Sequence, residues 1–159
     1  MATHRVFGLF PLSYFYRDRK ATRLGKAFSH FWAAWSAIGL PSYGMAELEL
    51  TGRKTGKPHR LAVVVVTMGG ERYLVSMLGE CEWVRNARAN PKAAFRKFRR
   101  HHITLEEVPI SARAPIIQEY VRRAPGGRPH IGLPANASLA ACAGIASNHP
   151  VFKIVGGWT

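Results

Sequence analysis

Residues 48–91 read LELTGRKTGKPHRLAVVVVTMGGERYLVSMLGECEWVRNARANP and alternate strand-forming with turn-forming segments. Apolar and β-branched residues predict three strands, at residues 46–51, 61–68 and 72–77. The second of these is mostly valine, which indicates a strand buried on both faces. Gly69 and Gly70 are typical of a tight hairpin turn, and residues 82–89 are predicted to form a short helix that ends before Pro91.

The turn at residues 51–58, TGRKTGKP, concentrates positive charge between Gly52 and Gly56. Glycine lets the backbone turn sharply and approach a ligand, and successive backbone N–H groups can form an anion-binding concavity. Arginine adds a planar fork that fits phosphate or carboxylate. We expect the charged side chains of this turn to face solvent. The residues alone leave two interpretations open, an anion-binding turn or an ordinary solvated hairpin turn.

Length and composition favour one folded domain with an anionic partner. The chain has 159 residues, of which 47% are hydrophobic, and its 23 basic and 9 acidic residues give a net charge of 23 − 9 = +14. Such an excess favours nucleic acid, an anionic membrane surface or a polyanionic small molecule. Cys81 and Cys142 are too far apart for a metal-binding motif, so we expect no metal site. We also expect reduced cysteines, a cytoplasmic protein, no secretory signal and no membrane-spanning segment.

Residues 1–44 are predicted to form a leader that is rich in aromatic and basic side chains, ahead of a main domain at residues 45–159. Large apolar residues recur at steps of three and four between residues 21 and 38, which predicts a helix ended by Gly39 and Pro41. Two roles stay open for this amphipathic helix. In the first, the helix packs on the main domain, against a β-barrel or over a substrate pocket. In the second, it lies at a membrane surface.

The remaining segments predict further strands and peripheral helices. Strands are expected at residues 93–98, 102–108 and 150–155, and the basic residues 96–100 are expected to form a solvated turn. Helices are expected at residues 111–124, with Ser111 as N-cap, and at residues 138–148, joined by a loop at residues 128–137. Successive strands with inserted helices favour an antiparallel barrel over parallel α/β units.

Three blocks then carry a resemblance to a known family: TGRKTGKP at residues 51–58, Val75–Ser76, and WVRN at residues 83–86 followed by ANP at residues 89–91. In this order and spacing they resemble the deazaflavin-dependent nitroreductase and quinone reductase family, whose members use coenzyme F420. The resemblance implies an α+β, mainly β fold: an antiparallel split β-barrel of the flavin-reductase type with peripheral helices and an N-terminal helical leader.

The resemblance also implies an activity and a cofactor. Reduced F420 would deliver a hydride to an activated acceptor such as a quinone, an enone or a nitro compound, and FMN would be a poorer fit than F420. We find none of the acid–base or nucleophile motifs of hydrolases, which suits a reaction whose chemistry belongs to the cofactor. The proton donor is unassigned, with Ser76, Tyr43 and Tyr73 as candidates. Val84 and the loop at residues 77–82 depart from the family pattern near the expected acceptor pocket.

The resemblance implies cofactor-binding residues in three groups. The basic turn and the residue after it would hold the phosphate and the acidic tail: Arg53, Lys54, Thr55, Gly56, Lys57 and Arg60. The next strand and loop would lie along the deazaflavin ring: Val63, Val64, Val65, Ser76, Leu78 and Gly79. The short helix would contribute Trp83 and Asn86, although Trp83 also fits a position in the core.

Two other functions stay open from the sequence. One is a non-catalytic carrier or binder of F420, a flavin or a lipid, and haem or FMN is not excluded as the true ligand. The other is a basic nucleic-acid-binding barrel, although the aromatic residues concentrate in the leader instead of alternating with the basic turns, as a base-stacking surface requires. We therefore expect a small-molecule partner and no nucleic acid, peripheral membrane contact only through the leader, and a monomer or a dimer.

Overall fold

The computed structural model describes residues 44–96 and 99–157, together with the backbone of four two-residue strands before them. These strands form two antiparallel pairs, β1 with β2 and β3 with β4, which were not predicted. Their bounds are Arg5–Val6, Phe10–Pro11, Tyr16–Arg17 and Lys20–Ala21. The leader helix was predicted at residues 21–38. Its first residue, Ala21, lies in β4, and the rest falls outside the described residues.

Six longer strands close into an antiparallel barrel in the order β10-β7-β6-β5-β8-β9, and β9 pairs with β10 to complete the ring. Their bounds are Met45–Thr51 for β5, Pro58–Met68 for β6, Glu71–Val75 for β7, Lys92–Arg96 for β8, Arg100–Glu107 for β9 and Val151–Val155 for β10. Gly69 and Gly70 join β6 to β7 with φ values of 59° and 79°, which a two-residue hairpin turn requires. The predicted mainly β antiparallel barrel is confirmed.

The described residues also form four helices, two of which pack against one side of this barrel. Helix α1 spans Glu82–Ala89, α2 spans Ala114–Arg123, α3 spans Arg128–Ile131 and α4 spans Leu139–Ile145. A 3-10 turn at Ile110–Ala112 precedes α2. Ser138 caps α4 by accepting a hydrogen bond from the Ala141 amide at 3.1 Å. The helix α3 lies inside the segment predicted as a loop.

Two apolar cores follow from the alternation of side chains along each strand. The interior core fills the barrel and includes Leu48, Phe95 and Phe152. The outer core lies between the barrel wall and the helices α2 and α4, and it includes Val66 from β6 and Ile117 from α2. Among the described residues, the barrel is thus stabilised from within and from one side.

Two predictions about local structure are wrong. In β6 only Val65 and Val66 are buried, and residues 61–64 are half-buried, because the helices cover only part of the outer face of this strand. Ser111 lies in the 3-10 turn and does not cap α2, which begins after Arg113. In the basic group at residues 96–100, the described side chains of Arg96 and Arg100 are 40% and 58% exposed, as a solvated turn predicts, and both also form ion pairs with β5.

Candidate functional site

The basic turn between β5 and β6 is closed by its own backbone. The Gly52 amide donates to the Lys57 carbonyl at 2.8 Å, and the Gly56 amide donates to the Gly52 carbonyl at 2.8 Å. Gly56 has φ of 67°, a left-handed conformation that glycine adopts without strain. The Thr55 hydroxyl accepts from the Lys57 amide at 3.3 Å. These bonds hold the turn in one compact conformation.

This turn offers positive charge and open amides on its surface. Within residues 44–96 and 99–157, the backbone amides of Lys54 and Thr55 have no hydrogen-bond partner. The side chains of Lys54 and Lys57 are exposed, and neither forms an ion pair with any residue of those ranges. Two neighbouring amides beside two ammonium groups suit a phosphate or carboxylate ligand. The residues present therefore fit the anionic end of a cofactor.

Arg53 differs from the other cations of the turn because helix α1 holds it. Its guanidinium donates to Glu82 Oε2 at 2.7 Å and to Asn86 Oδ1 at 3.0 Å, and its backbone amide donates to Asn86 Oδ1 at 3.2 Å. The hydrogen bond from Arg53 lowers the pKa of the Glu82 carboxyl group, so this partner stays ionised. The side chain is 21% exposed, so the expectation that it faces solvent is wrong.

Helix α1 therefore connects two of the predicted site blocks. Asn86 is buried and accepts a hydrogen bond from the Arg53 amide, which holds helix α1 against the basic turn. Trp83 lies in the interior core, where its ring centroid is 5.4 Å from that of Phe152 with the planes inclined at 55°. The structure thus places Asn86 beside the turn and Trp83 in the interior core.

The predicted ring-binding valines do not share one face. Val63 and Val65 pack with the interior core, whereas Val64 packs with the outer core. Neighbouring residues on a strand point to opposite faces, so these three side chains cannot all line one planar ligand. Only the backbone of β6, or the valines of one face, can contact a single ring.

The loop after β7 is anchored to the residues before β10. The Ser76 hydroxyl donates to the Gly79 carbonyl at 2.7 Å, and the Ser76 amide donates to the Pro150 carbonyl at 2.9 Å. His149 Nδ1 lies 2.9 Å from the Ser76 carbonyl oxygen. Gly79 has φ of 68°, and Leu78 packs against the interior core. Ser76 is buried with its hydroxyl proton engaged, which makes it a support of the loop.

One predicted cofactor contact pairs with a carboxylate that was not predicted to belong to the site. Arg60, predicted as a cofactor contact, donates from Nε to Glu49 Oε2 at 2.8 Å, and Glu49 is 6% exposed. Neither Glu49 nor His149 was singled out from the sequence, and Glu82 was interpreted as a polar residue without a partner in the basic turn. For Glu49 a signal existed, since a carboxylate between Leu48 and Leu50 on a strand must lie on the face opposite the interior core.

Comparison with solved structures defines the class of fold. One chain, described as a domain-swapped dimer, matches with a TM-score of 0.52 at 15% identity over 82% of this chain and 96% of that chain. A protein of unknown function from Agrobacterium tumefaciens matches with a TM-score of 0.50 at 12% identity over 91% of this chain and 59% of that chain. An F420-H2 dependent reductase matches with a TM-score of 0.48 at 18% identity, over 70% and 93% of the two chains. The closed six-stranded antiparallel barrel is therefore a fold that the first two of these solved structures share.

The family model of F420H(2)-dependent quinone reductases matches residues 30–128, which is more than half of the chain. The protein belongs to this family. It is an F420-dependent reductase, and coenzyme F420 is its cofactor. No curated protein sequence gives a significant match. None of the described helices is long and apolar enough to cross a membrane.

Proposed function

We propose that the protein transfers a hydride from reduced F420 to an activated acceptor such as a quinone, an enone or a nitro compound. Reduced F420 supplies the hydride, and the acceptor takes up the hydride and one proton. The observation that carries the proposal is the basic turn, with two amides open within the described residues beside two exposed lysines. A turn of this kind fits the phosphodiester of the coenzyme.

In this proposal the protein binds and orients the coenzyme through three elements. Lys54, Thr55, Gly56 and Lys57 hold the phosphodiester, and α1 keeps the turn in place through Asn86. The backbone of β6 and the residues Leu78 and Gly79 lie along the deazaflavin ring. Trp83 supports α1 from the interior core instead of touching the ring.

The proton is proposed to come from solvent. The Ser76 hydroxyl is engaged with the Gly79 carbonyl and is buried, so it is a poor donor to an acceptor. Tyr73 packs against the outer core. Tyr43, the third candidate, lies outside the described residues. A reductase without a dedicated acid suits acceptors whose reduced form is readily protonated in water.

The double variant Lys54→Ala/Lys57→Ala tests the role of the basic turn. Losing two charge-assisted hydrogen bonds should weaken F420 binding by roughly 2–5 kcal/mol. That is about a 30-fold to several-thousand-fold rise in the dissociation constant, measured by cofactor fluorescence titration. Both side chains are exposed, so the free energy of unfolding should stay unchanged.

A charge-matched control is Arg122→Ala/Arg123→Ala, which removes two cations from the end of α2. It should leave F420 binding within about twofold, because exposed ion pairs contribute little. Equal weakening by both double variants would show that only net charge matters and would contradict the proposed site. Arg53→Ala is a less direct test, since it also removes the contacts with Glu82 and Asn86.

We also propose how the rest of the chain takes part. The leader, residues 1–44, is proposed to pack on the barrel domain, residues 45–159, and to cap the acceptor pocket. Peripheral contact of the leader with a membrane is the alternative role, and the proposed location is cytoplasmic. Catalytic turnover with F420 and a quinone separates this proposal from a non-catalytic carrier of the coenzyme.

A further inference from the structure

His149 is a buried titratable residue to which the proposed function gives no role. It lies between α4 and β10 and is 9% exposed. Its Nδ1 is 2.9 Å from the carbonyl oxygen of Ser76, in the loop after β7. Because a carbonyl oxygen only accepts hydrogen bonds, Nδ1 carries the proton and donates it. The neutral imidazole then presents Nε2 as a hydrogen-bond acceptor.

The Nε2 atom of His149 has no partner within residues 44–96 and 99–157. The two nitrogens of an imidazole point in different directions, so Nε2 faces away from the Ser76 carbonyl. Buried polar atoms in folded proteins nearly always have a hydrogen-bond partner, because an unpaired one has lost its contacts with water. This buried acceptor therefore indicates a donor that comes from outside these residues.

The loop that His149 contacts is the one that the proposed function places along the deazaflavin ring. The Ser76 hydroxyl donates to the Gly79 carbonyl at 2.7 Å, and the Ser76 amide donates to the Pro150 carbonyl at 2.9 Å. A Cβ added at Gly79 would lie 2.7 Å from the carbonyl oxygen of Asn148, so the two segments are in direct contact. The imidazole is thus held beside the loop at a fixed position.

The chemistry of a bare Nε2 selects between the two ligands of the proposed reaction. Quinone, enone and nitro groups offer only hydrogen-bond acceptors, so none of them can donate to this nitrogen. The pyrimidinedione end of the deazaflavin ring, in contrast, carries an imide N–H between two carbonyl groups. The ribityl hydroxyls are also donors, but they lead towards the phosphodiester, which the proposed function places in the basic turn. Nε2 therefore fits the imide N–H of the coenzyme and not the acceptor.

We propose that His149 Nε2 accepts a hydrogen bond from the imide N–H of the deazaflavin ring and fixes the orientation of the ring against the loop after β7. This proposal rests on the placement of the ring along that loop. An imidazole that is buried and already held through Nδ1 loses little further freedom when the ring binds. A ring held at its pyrimidinedione end presents its reactive carbon to the acceptor in one orientation, and His149 is a coenzyme-binding residue.

The test compares F420 with a coenzyme that is methylated at the imide nitrogen, by fluorescence titration of the wild-type protein and of His149→Asn. Asparagine keeps a donor near the position of Nδ1 for the Ser76 carbonyl, but it has no atom at the position of Nε2. The wild type should bind F420 about tenfold or more tighter than the methylated coenzyme, since methylation leaves a buried acceptor unpaired. In His149→Asn the two coenzymes should bind within about twofold of each other, because the partner of the imide N–H is gone.

A matched control is His130→Asn, which changes a half-buried histidine of α3 and should keep the wild-type ratio of the two affinities. The comparison on the wild-type protein needs no variant, so it does not depend on how well His149→Asn folds.

Equal affinity of the wild type for both coenzymes would overturn the proposal and would assign the donor to a water molecule or to the leader. An equal penalty for methylation in the wild type and in folded His149→Asn would also overturn it, because the methyl group would then meet another part of the protein. Unchanged F420 binding by Lys54→Ala/Lys57→Ala, with the methylation ratio intact, would instead overturn the placement of the phosphodiester alone.

Discussion

Gly79 is the residue of the site whose backbone conformation is most constrained. It has φ of 68°, and a Cβ added there would lie 2.7 Å from the Asn148 carbonyl oxygen. Gly79→Ala should lower the free energy of unfolding by roughly 2–4 kcal/mol, because a left-handed conformation and a backbone clash both oppose the methyl group. Urea unfolding at neutral pH measures this loss.

Gly56→Ala is the matched control for this substitution. Gly56 has φ of 67°, and a Cβ there would meet nothing within 4 Å. The free energy of unfolding of Gly56→Ala should fall by only about 1–2 kcal/mol, because only the left-handed backbone conformation opposes the methyl group. Equal losses at the two positions would mean that residues 148–150 yield to the methyl group and do not anchor the loop after β7.

At the same scale, the sequence predicts the basic turn but not the state of each cation in it. Glycine spacing and charge density are local properties, so the turn is readable from residues 51–58 alone. The engagement of Arg53 depends on Glu82, which is 29 residues away in the chain and reaches the turn only through the packing of α1. Exposed Lys54 and paired Arg53 are neighbours with the same charge, and nothing local distinguishes them.

At the scale of elements, one carboxylate ties α1, β9 and the start of α2 together. Glu107 at the end of β9 accepts from Arg88 Nε at 2.7 Å, from Arg88 Nη2 at 2.8 Å and from Arg113 Nη2 at 3.0 Å. Arg113 is buried and also donates to the carbonyl groups of Val108 and Ala146. Arg88 extends the network to Glu80 in the loop after β7 at 2.7 Å. This network fixes the loop relative to the helices.

The network gives stability a defined dependence on pH. Hydrogen bonds from Arg88 lower the pKa of the Glu107 carboxyl group in the folded protein. A lowered folded pKa means that the stabilisation is complete above the unfolded value of about 4.3 and is lost as pH falls through the folded value. Glu107→Gln should therefore cost about 1–3 kcal/mol at pH 7, and the difference from wild type should shrink below about pH 4.

Urea unfolding of both proteins between pH 7 and pH 3 measures this difference. Glu71→Gln is the control, because Glu71 is half-exposed and pairs with Lys153 at the surface. Its effect should stay within about 0.5 kcal/mol across the range. A Glu107→Gln difference that is constant with pH would contradict an ionised Glu107 as the source of the stabilisation.

The sequence predicts the barrel strands and most helices because their patterns are local. Alternating apolar residues suffice for β5 and β7 through β10, and each lies within a few residues of its predicted bounds. The start of α2 is different. Pro115 suits the first turn of a helix, so the chain makes a 3-10 turn first and places Arg113 ahead of the helix. A periodic pattern over residues 111–124 does not reveal this break.

For the whole molecule, the net charge of +14 on 159 residues governs how an anionic coenzyme arrives. The positive field of the basic turn extends beyond contact distance at low salt and is screened within about 8 Å at physiological ionic strength. Such fields raise association rates far more than they slow dissociation. The charge excess is therefore expected to act on the capture of F420.

The association rate of F420 should fall by about tenfold or more between low and high salt, whereas its dissociation rate should change by only a few-fold. Stopped-flow fluorescence separates the two rates. The deazaflavin chromophore without phosphate or tail is the control, and its association rate should be nearly independent of salt because it carries no charges to steer. An equal salt dependence for both ligands would mean that salt acts on the protein and not on the encounter. If salt instead changes mainly the dissociation rate, the positive charge acts through contacts in the bound complex and not on the encounter.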